Sequence, residues 1–164
     1  MKVGLAPIAD EHASVLILGS LPGDLSLQKQ QYYATPRNHF WAIMAAILKE
    51  PLPKSYPSRV QMLQRHRVAL WDVINRAERE GSLDAGLREK KPNDLAEFLD
   101  RYPNIQFILL NGSEAYRSYQ KYFGTLNVPN AMVRSSSPVP SRECNTLQEK
   151  TRQWKDVWER YAAR

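Results

Sequence analysis

Short runs of apolar residues alternate along the chain with longer segments in which apolar residues recur every three or four positions. Four of these runs have the length and composition of buried strands, and they cover residues 15–18, 68–71, 105–110 and 131–133. A run that is apolar at nearly every position is typical of a strand buried on both of its faces. The four runs therefore predict the strands of a parallel sheet.

The segments between the runs have the spacing of amphipathic helices. The clearest spacing places five apolar residues on one helix face, namely Phe40, Ile43, Met44, Ile47 and Leu48. Thr35 and Pro36 are suited to begin this helix, as its N-cap and its first residue.

Other helices are predicted within 60–67, 92–102 and 113–123. A last helix is predicted from Thr146, which has the spacing of a capping box with Glu149. The segment 78–91 is polar and contains two glycines, so it is predicted to be a loop.

The alternation of strands and helices predicts an α/β fold. We expect residues 1–164 to form one domain, a three-layer α/β/α sandwich with a central, mostly parallel four-stranded sheet. In such a sheet, binding sites lie beyond the carboxyl ends of the strands. The segments expected there are 19–23, 72–75, 111–113 and 135–138, and we expect them to converge on one cleft.

Composition narrows the possible functions only slightly. The chain has 164 residues, 43% of them hydrophobic, and a net charge of +6, which weakly favours a polyanionic partner. A single cysteine, Cys144, excludes an intramolecular disulfide, and three scattered histidines lack the spacing of metal ligands. No apolar stretch approaches 18 residues. We therefore expect a cytoplasmic protein without a metal, a cofactor or a membrane segment.

The segment after the first predicted strand, 19–23, combines two glycines with a proline. It lacks the Gly-Lys-Ser/Thr ending of a phosphate-binding loop and the third glycine of a dinucleotide fingerprint. A tight turn that lets a ligand approach the backbone and an ordinary strand-to-loop turn both fit this composition.

Two blocks of the sequence are more specific. Gly-Ser-Leu-Pro-Gly-Asp-Leu-Ser-Leu at 19–27 and Tyr-Tyr-Ala-Thr-Pro-Arg-Asn-His-Phe-Trp at 32–41 resemble the uracil-DNA glycosylase superfamily. The branch they resemble most is that of the hypoxanthine (deoxyinosine) DNA glycosylases. Five shorter blocks continue this resemblance in order along nearly the whole chain, at 70–73, 79–84, 92–94, 111–112 and 136–138.

The resemblance implies a monofunctional DNA glycosylase that acts as a monomer on DNA containing deaminated bases. Such enzymes flip the damaged nucleotide out of the duplex and hydrolyse its N-glycosidic bond. Hypoxanthine is the base that the resemblance favours. A uracil or broad deaminated-base glycosylase, and a DNA-binding protein of the same fold without activity, are the alternatives.

The resemblance also implies roles for residues of the two blocks. Tyr33 would stack on the flipped base, although it could instead pack on the core, as Tyr32 is expected to do. Asn38 would hold the catalytic water, although an asparagine there could equally cap the following helix. Many relatives place Asp or Asn at the position of Leu21, which cannot hydrogen-bond, so this chain departs from their pattern.

Segments at the strand ends would bind the substrate. The segment formed by Gly19, Ser20, Leu21, Pro22 and Gly23 would line the base pocket. Asp72 and Asn111 would contact the base edge, although Asp72 could form a cap or an ion pair and Asn111 could bond a neighbouring loop. The resemblance assigns DNA binding to Ser135, Ser136, Ser137 and Pro138, where many relatives have a histidine that this chain lacks.

Two other regions complete the predictions. The basic region 49–67, together with Arg134 and Arg142, would form the DNA-binding face or else a solvated surface. We assign no chemistry to the block 79–84.

Overall fold

The structure is a computed structural model that describes residues 1–138 and 146–162. Its strands are β1 (Lys2–Val3), β2 (Val15–Gly19), β3 (Val68–Asp72), β4 (Ile74–Glu78), β5 (Arg88–Pro92), β6 (Phe107–Asn111) and β7 (Asn130–Val133). Its helices are α1 (Asp24–Lys29), α2 (Phe40–Ile47), α3 (Tyr56–Arg65), α4 (Leu95–Arg101), α5 (Ser113–Phe123) and α6 (Leu147–Val157). A 3₁₀ turn at Asp84–Gly86 and a π-helical turn at Trp158–Ala162 complete the described elements.

The central sheet contains four parallel strands in the order β3-β2-β6-β7. All five residues of β2 and all five of β6 are buried. This burial explains why both strands are apolar along almost their whole length, and it confirms the predicted parallel sheet.

Helices cover both faces of this sheet. Ile17 and Leu109 face a core that includes Phe40 of α2, Leu63 of α3 and Trp154 of α6. On the opposite face, alternate strand residues, Leu16, Leu18, Ile108 and Leu110, pack with Phe98 of α4 and Tyr119 of α5. Because side chains alternate across a strand, the same apolar runs supply both cores. The predicted three-layer α/β/α arrangement is therefore confirmed.

The prediction of a loop over 78–91 is wrong at both of its ends. Strand β4 runs to Glu78 and strand β5 begins at Arg88, and the two pair antiparallel, with β1 on the other side of β4. The pattern was not visible because this small sheet is largely solvated and its strands are polar. It is joined to the central sheet by Asn93, whose Nδ2 donates to the carbonyl oxygen of Asp72 at 2.8 Å.

The predicted beginning of α2 at Thr35 and Pro36 is also wrong. The helix begins at Phe40, and the backbone before it forms a turn in which the Asn38 N–H donates to the Thr35 carbonyl at 2.9 Å. By contrast, Thr146 caps α6 as predicted, since its hydroxyl accepts from the Glu149 N–H at 3.1 Å.

The helices of the described residues are short. None of them is long and apolar enough to cross a lipid bilayer.

Candidate active site

A cavity of about 530 Å³ lies beyond the carboxyl ends of the central strands. The residues that the resemblance assigned to catalysis, the base pocket and the serine-rich loop all border it: Gly19, Ser20, Leu21, Pro22, Gly23, Tyr33, Asn38, Asp72, Asn111, Ser135, Ser136, Ser137 and Pro138. Parallel strands end at the same edge of a sheet, so segments far apart in the chain meet there. The cavity also has lining residues for which the sequence analysis predicted no role, including Arg37, Ser82, Leu83 and Asp84.

Gly19, the last residue of β2, leaves space for the side chains of Asp72 and Tyr33. A Cβ atom at this position would lie 2.5 Å from Asp72 Oδ1 and 2.8 Å from the Tyr33 hydroxyl oxygen. Both distances are shorter than a nonbonded contact allows. The absence of a side chain at Gly19 therefore lets Asp72 and Tyr33 approach the end of the strand.

The ring of Tyr33 is held firmly from two sides. It stacks on Phe40, with ring centroids 4.1 Å apart and planes inclined by 19°, and its hydroxyl accepts from Asn111 Nδ2 at 3.0 Å. Its backbone adopts the left-handed conformation, with φ of 53°. Tyr32, in contrast, is 3% exposed and donates to the Ala6 carbonyl at 2.8 Å, in agreement with its predicted place in the core.

Asn111, the last residue of β6, connects Tyr33 to the loop 135–138. Its Nδ2 donates to the Tyr33 hydroxyl and to Ser136 Oγ, and its Oδ1 accepts from the Ser136 N–H, all at 3.0 Å. Both amide hydrogens are thus engaged within the protein. One of the two predicted roles of Asn111, a bond to a neighbouring loop, is therefore present. A bond from Nδ2 to a base would have to replace its bond to Tyr33 or to Ser136.

The loop 135–138 is anchored at two further points. The His39 N–H donates to the Ser136 carbonyl, and Lys150 Nζ donates to the Ser137 carbonyl, both at 2.9 Å. Lys150 is 2% exposed, and burial lowers the pKa of its ammonium group. Gly112 adopts φ of 97°, and a Cβ there would lie 3.0 Å from Ser135 Cβ. The loop is therefore fixed against the sheet rather than loose in solvent.

Asn38 borders the cavity and also stabilises the beginning of α2. Its Oδ1 accepts from the Phe40 N–H at 2.9 Å. A carbonyl oxygen has a second lone pair, so this bond leaves Oδ1 able to accept from a water. The helix-capping reading and the water-holding reading are therefore compatible. Leu21 is 6% exposed and packs in the apolar core of the sheet, so it offers no substitute for the polar residue of the relatives.

Two carboxyl groups border the cavity beside the segment 19–23. Asp72 is 4% exposed, and its Oδ2 has no hydrogen-bond partner among residues 1–138 and 146–162. Burial, reinforced by the negative charge of Asp84, raises the pKa of Asp72 to about 8. Asp84 faces the cavity and reaches solvent, and its Oδ2 accepts from Ser20 Oγ at 2.7 Å. Desolvation raises the pKa of Asp84 as well, although the bond from Ser20 opposes this rise.

Arg79 holds the segment 79–86 over the cavity. Its guanidinium is buried and donates to the carbonyls of Gly81 and Pro22, each at 2.7 Å. Ser82 Oγ accepts from the Asp24 N–H at 2.8 Å. The sequence analysis assigned no chemical role to the block 79–84. No local sequence pattern shows that this block folds back onto Pro22 and Asp24.

Two arginines of the predicted basic region 49–67 contact other side chains. Arg65 forms an ion pair with Glu50 at 2.5 Å, and the Arg59 guanidinium lies 6.0 Å from the Trp41 ring centroid. Arg37, by contrast, is exposed at the border of the cavity. Arg142 and Cys144 lie outside the described residues.

Metal ligation has no evident site in the part of the chain that the structure describes. No group of three or more His, Cys, Asp or Glu side chains is arranged there to hold an ion. The chemistry available at the cavity is that of a stacking ring, amide and hydroxyl groups, and carboxyl groups.

Comparisons with known proteins point in one direction. Residues 6–161 match the sequence profile of the uracil DNA glycosylase superfamily. Two proteins named Hypoxanthine DNA glycosylase are similar to this chain. The one from Methanosarcina barkeri is 33% identical over 97% of this chain and 99% of its own length. The one from Methanosarcina acetivorans is 37% identical over 87% of this chain and 90% of its own length.

A solved structure has the same fold. It is the solution NMR structure of a protein from Methanosarcina acetivorans that was provisionally assigned as a uracil DNA glycosylase. The similarity covers 95% of this chain and 98% of that one, with a TM-score of 0.80 and 31% sequence identity.

Proposed function

We propose that this chain, which belongs to the uracil DNA glycosylase superfamily, hydrolyses the N-glycosidic bond of a deaminated base in DNA, with hypoxanthine in deoxyinosine as its main substrate. The observation that carries this proposal is the convergence of Tyr33, Asn38, Asp72 and Asn111 on one cavity at the strand ends. A cavity of about 530 Å³ is within the usual range for small-molecule sites, and it has space for a flipped purine.

The stacking of Tyr33 on Phe40 supports its assignment as the surface on which the flipped base stacks. Base–aromatic stacking contributes about 1–3 kcal/mol per base, which offsets part of the cost of removing the base from the duplex. A ring that is already fixed by Phe40 and Asn111 loses little conformational freedom when the base arrives.

Cleavage builds positive charge on the sugar and negative charge on the departing base. Asn38 Oδ1 would accept from the attacking water and orient it towards the anomeric carbon. The loop 135–138 has no imidazole, so the negative charge on the base must be stabilised by hydrogen-bond donors at the cavity. The hydroxyls of Ser135 and Ser137 and the backbone of that loop would contact DNA phosphates, whereas Ser136 is 1% exposed and its hydroxyl accepts from Asn111.

A uracil glycosylase is the second candidate. Uracil and hypoxanthine share a lactam, an N–H beside a carbonyl, so the same groups could read either base. The similarity to a structure provisionally assigned as a uracil DNA glycosylase favours testing both substrates. We further propose that the protein acts in the cytoplasm and as a monomer.

Single-turnover assays on matched duplexes test the proposal directly. Each duplex carries one deoxyinosine, deoxyuridine or deoxyxanthosine, and mass spectrometry identifies the released base. We expect hypoxanthine to be released fastest and the abasic strand to remain intact, without an adduct on borohydride treatment, because no lysine borders the described cavity. Faster release of uracil would favour the second candidate. Binding of all three duplexes without release of any base would indicate a DNA-binding protein of the same fold.

A further inference from the structure

Asp72 stands out among the described residues because it is a buried acid with an oxygen that has no hydrogen-bond partner there. It is 4% exposed, it borders the cavity, and the described residues offer no partner to its Oδ2. A buried carboxylate normally accepts two or more hydrogen bonds, since its charge is otherwise costly. A buried oxygen without a partner, on a residue that borders a binding cavity, therefore indicates either a neutral carboxyl group or a group that awaits a ligand.

The charged neighbours of Asp72 favour the neutral form. Asp84 borders the same cavity, and its negative charge raises the pKa of Asp72. Tyr33 and Tyr32 are uncharged phenols that repel a carboxylate only once ionised. Arg79 attracts negative charge, but its hydrogen bonds go to the carbonyls of Gly81 and Pro22. Lys90 and Glu114 act on Asp84 with opposite signs.

The hydrogen bonds distinguish the two acids. Asp84 Oδ2 accepts from Ser20 Oγ at 2.7 Å, which favours negative charge on Asp84. Asp72 Oδ2 has no such donor in the described chain. When two carboxyl groups lie close together and carry one proton, the proton stays on the group with fewer donors.

We propose that Asp72 meets the flipped base as a neutral carboxylic acid, donating its O–H to the base carbonyl, and that ionised Asp84 is the positioning residue that keeps the proton on Asp72. This inference rests on the proposed glycosylase activity and assigns a role to Asp84 that the sequence patterns did not reveal. The chemistry is complementary to a lactam. The Asp72 hydroxyl donates to O6 of hypoxanthine while its carbonyl oxygen accepts from N1–H.

The same hydrogen bond also favours the reaction. As the glycosidic bond breaks, its electron pair moves into the base, and O6 gains negative charge. A donor aimed at that oxygen binds the departing base more tightly than the intact nucleotide, so it lowers the barrier. An ionised Asp72 would instead place negative charge against O6 and oppose cleavage.

The test measures single-turnover cleavage of a deoxyinosine duplex across the alkaline range. The proteins are the wild type, Asp72→Asn, Asp72→Ala, Asp84→Asn and a matched control, Asp100→Asn, an exposed residue on α4. We expect Asp72→Ala to lose about 10²-fold in rate, the usual effect of removing one donor to developing charge. Asp72→Asn should stay within about 10-fold of the wild type, because an amide N–H still donates without titrating.

The pH profiles separate this role from a structural one. The wild-type rate should fall as the pH rises and Asp72 ionises, and Asp84→Asn should move that fall to lower pH by removing the neighbouring charge. Asp72→Asn should lack this component and exceed the wild type at the highest pH. Deoxyinosine has a titratable N1–H of its own, so the difference between variants, not the fall itself, is the readout. Asp100→Asn should match the wild type throughout.

A second measurement does not depend on activity. The ¹³C carboxyl signal of Asp72, assigned by its loss in Asp72→Asn, should titrate far above the ordinary pKa of an aspartate, about 4. Titration of Asp72 at the ordinary pKa of an aspartate, about 4, or identical pH profiles in all variants, would overturn the inference while leaving the glycosylase activity established. If the wild type released no base, the proposed function would fail, and the carboxyl titration would still decide whether Asp72 holds its proton.

Discussion

The replacement of Asn38 by alanine separates the two roles that its position allows. Asn38 Oδ1 accepts from the Phe40 N–H at 2.9 Å at the beginning of α2. The loss of such a side-chain bond at a helix start destabilises a protein by about 1 kcal/mol. In a domain of this size, that change lowers Tm by about 2–4 °C. The stability effect of Asn38→Ala should therefore be small.

The catalytic effect should be much larger. If Asn38 also orients the attacking water, its loss removes one well-placed polar group from the reaction. That loss should lower the single-turnover rate on a deoxyinosine duplex by about 10²–10³-fold. A destabilisation of about 1 kcal/mol leaves a typical domain almost fully folded well below its Tm. Unfolding cannot therefore account for a rate loss of that size.

Ser55→Ala is the matched control. Ser55 Oγ accepts from the Ser58 N–H at 3.2 Å at the beginning of α3, and it does not border the cavity. This variant should lose a similar amount of Tm and keep its rate. Asn38→Asp should keep the Tm, because its carboxylate still accepts from Phe40. The cleavage rates of Asn38→Ala and Ser55→Ala could instead agree within about 3-fold at equal loss of Tm. That result would show that Asn38 acts only on the helix and would refute its role in orienting the attacking water.

Three further outcomes are expected. Tyr33→Phe keeps the stack on Phe40 but loses the bond from Asn111, so its cleavage rate should fall by no more than about 10-fold. Tyr33→Leu loses the stacking surface, so its cleavage rate should fall by about 10–100-fold. Equal rates for the two variants would contradict the stacking role. Arg37→Gln should reduce the slope of log K against log salt by about 1 in duplex-binding titrations, because the exposed guanidinium at the cavity border would contact a phosphate; an unchanged slope would locate that contact elsewhere. Burial raises the pKa of Asp72 to about 8 in the folded protein, whereas the unfolded chain releases this proton near pH 3.8. Between these two values the unfolded chain binds fewer protons, so unfolding becomes more favourable as the pH rises. The Tm of Asp72→Asn minus that of the wild type, followed by calorimetry, should therefore grow between pH 4 and pH 8, and a constant difference would show that Asp72 is ionised in the folded state.

The inner strands of the central sheet, β2 and β6, could be predicted because they are buried on both faces. Burial on both faces requires apolar residues at almost every position, and this requirement is visible as a run in the sequence. The site segments followed from the same reasoning. Once the strands are parallel, their carboxyl ends must share one edge, and the polar residues after each strand are brought together there. The capping box at Thr146 was equally visible, because it joins residues only three positions apart.

Other features depend on contacts between distant segments. The strands β4 and β5 are polar and solvated, so no apolar run marks them. The helix α2 begins at Phe40 rather than at the predicted Thr35 and Pro36. The side chain that accepts from the first turn is that of Asn38, not that of Thr35. Propensity alone could not choose between these neighbouring polar residues.

The electrostatics of the site were decided by tertiary structure alone. The bond between Ser20 and Asp84 joins residues 64 positions apart, and Lys150 reaches a loop that begins at the end of β7. The sequence by itself determined the sheet, the edge on which the site lies and the types of side chain found there. Only the folded chain buries Asp72 in the same cavity as Asp84, and this environment raises the pKa of Asp72 to about 8. The sequence could not show this, because a pKa depends on the groups that surround a side chain in space rather than on its neighbours in the chain.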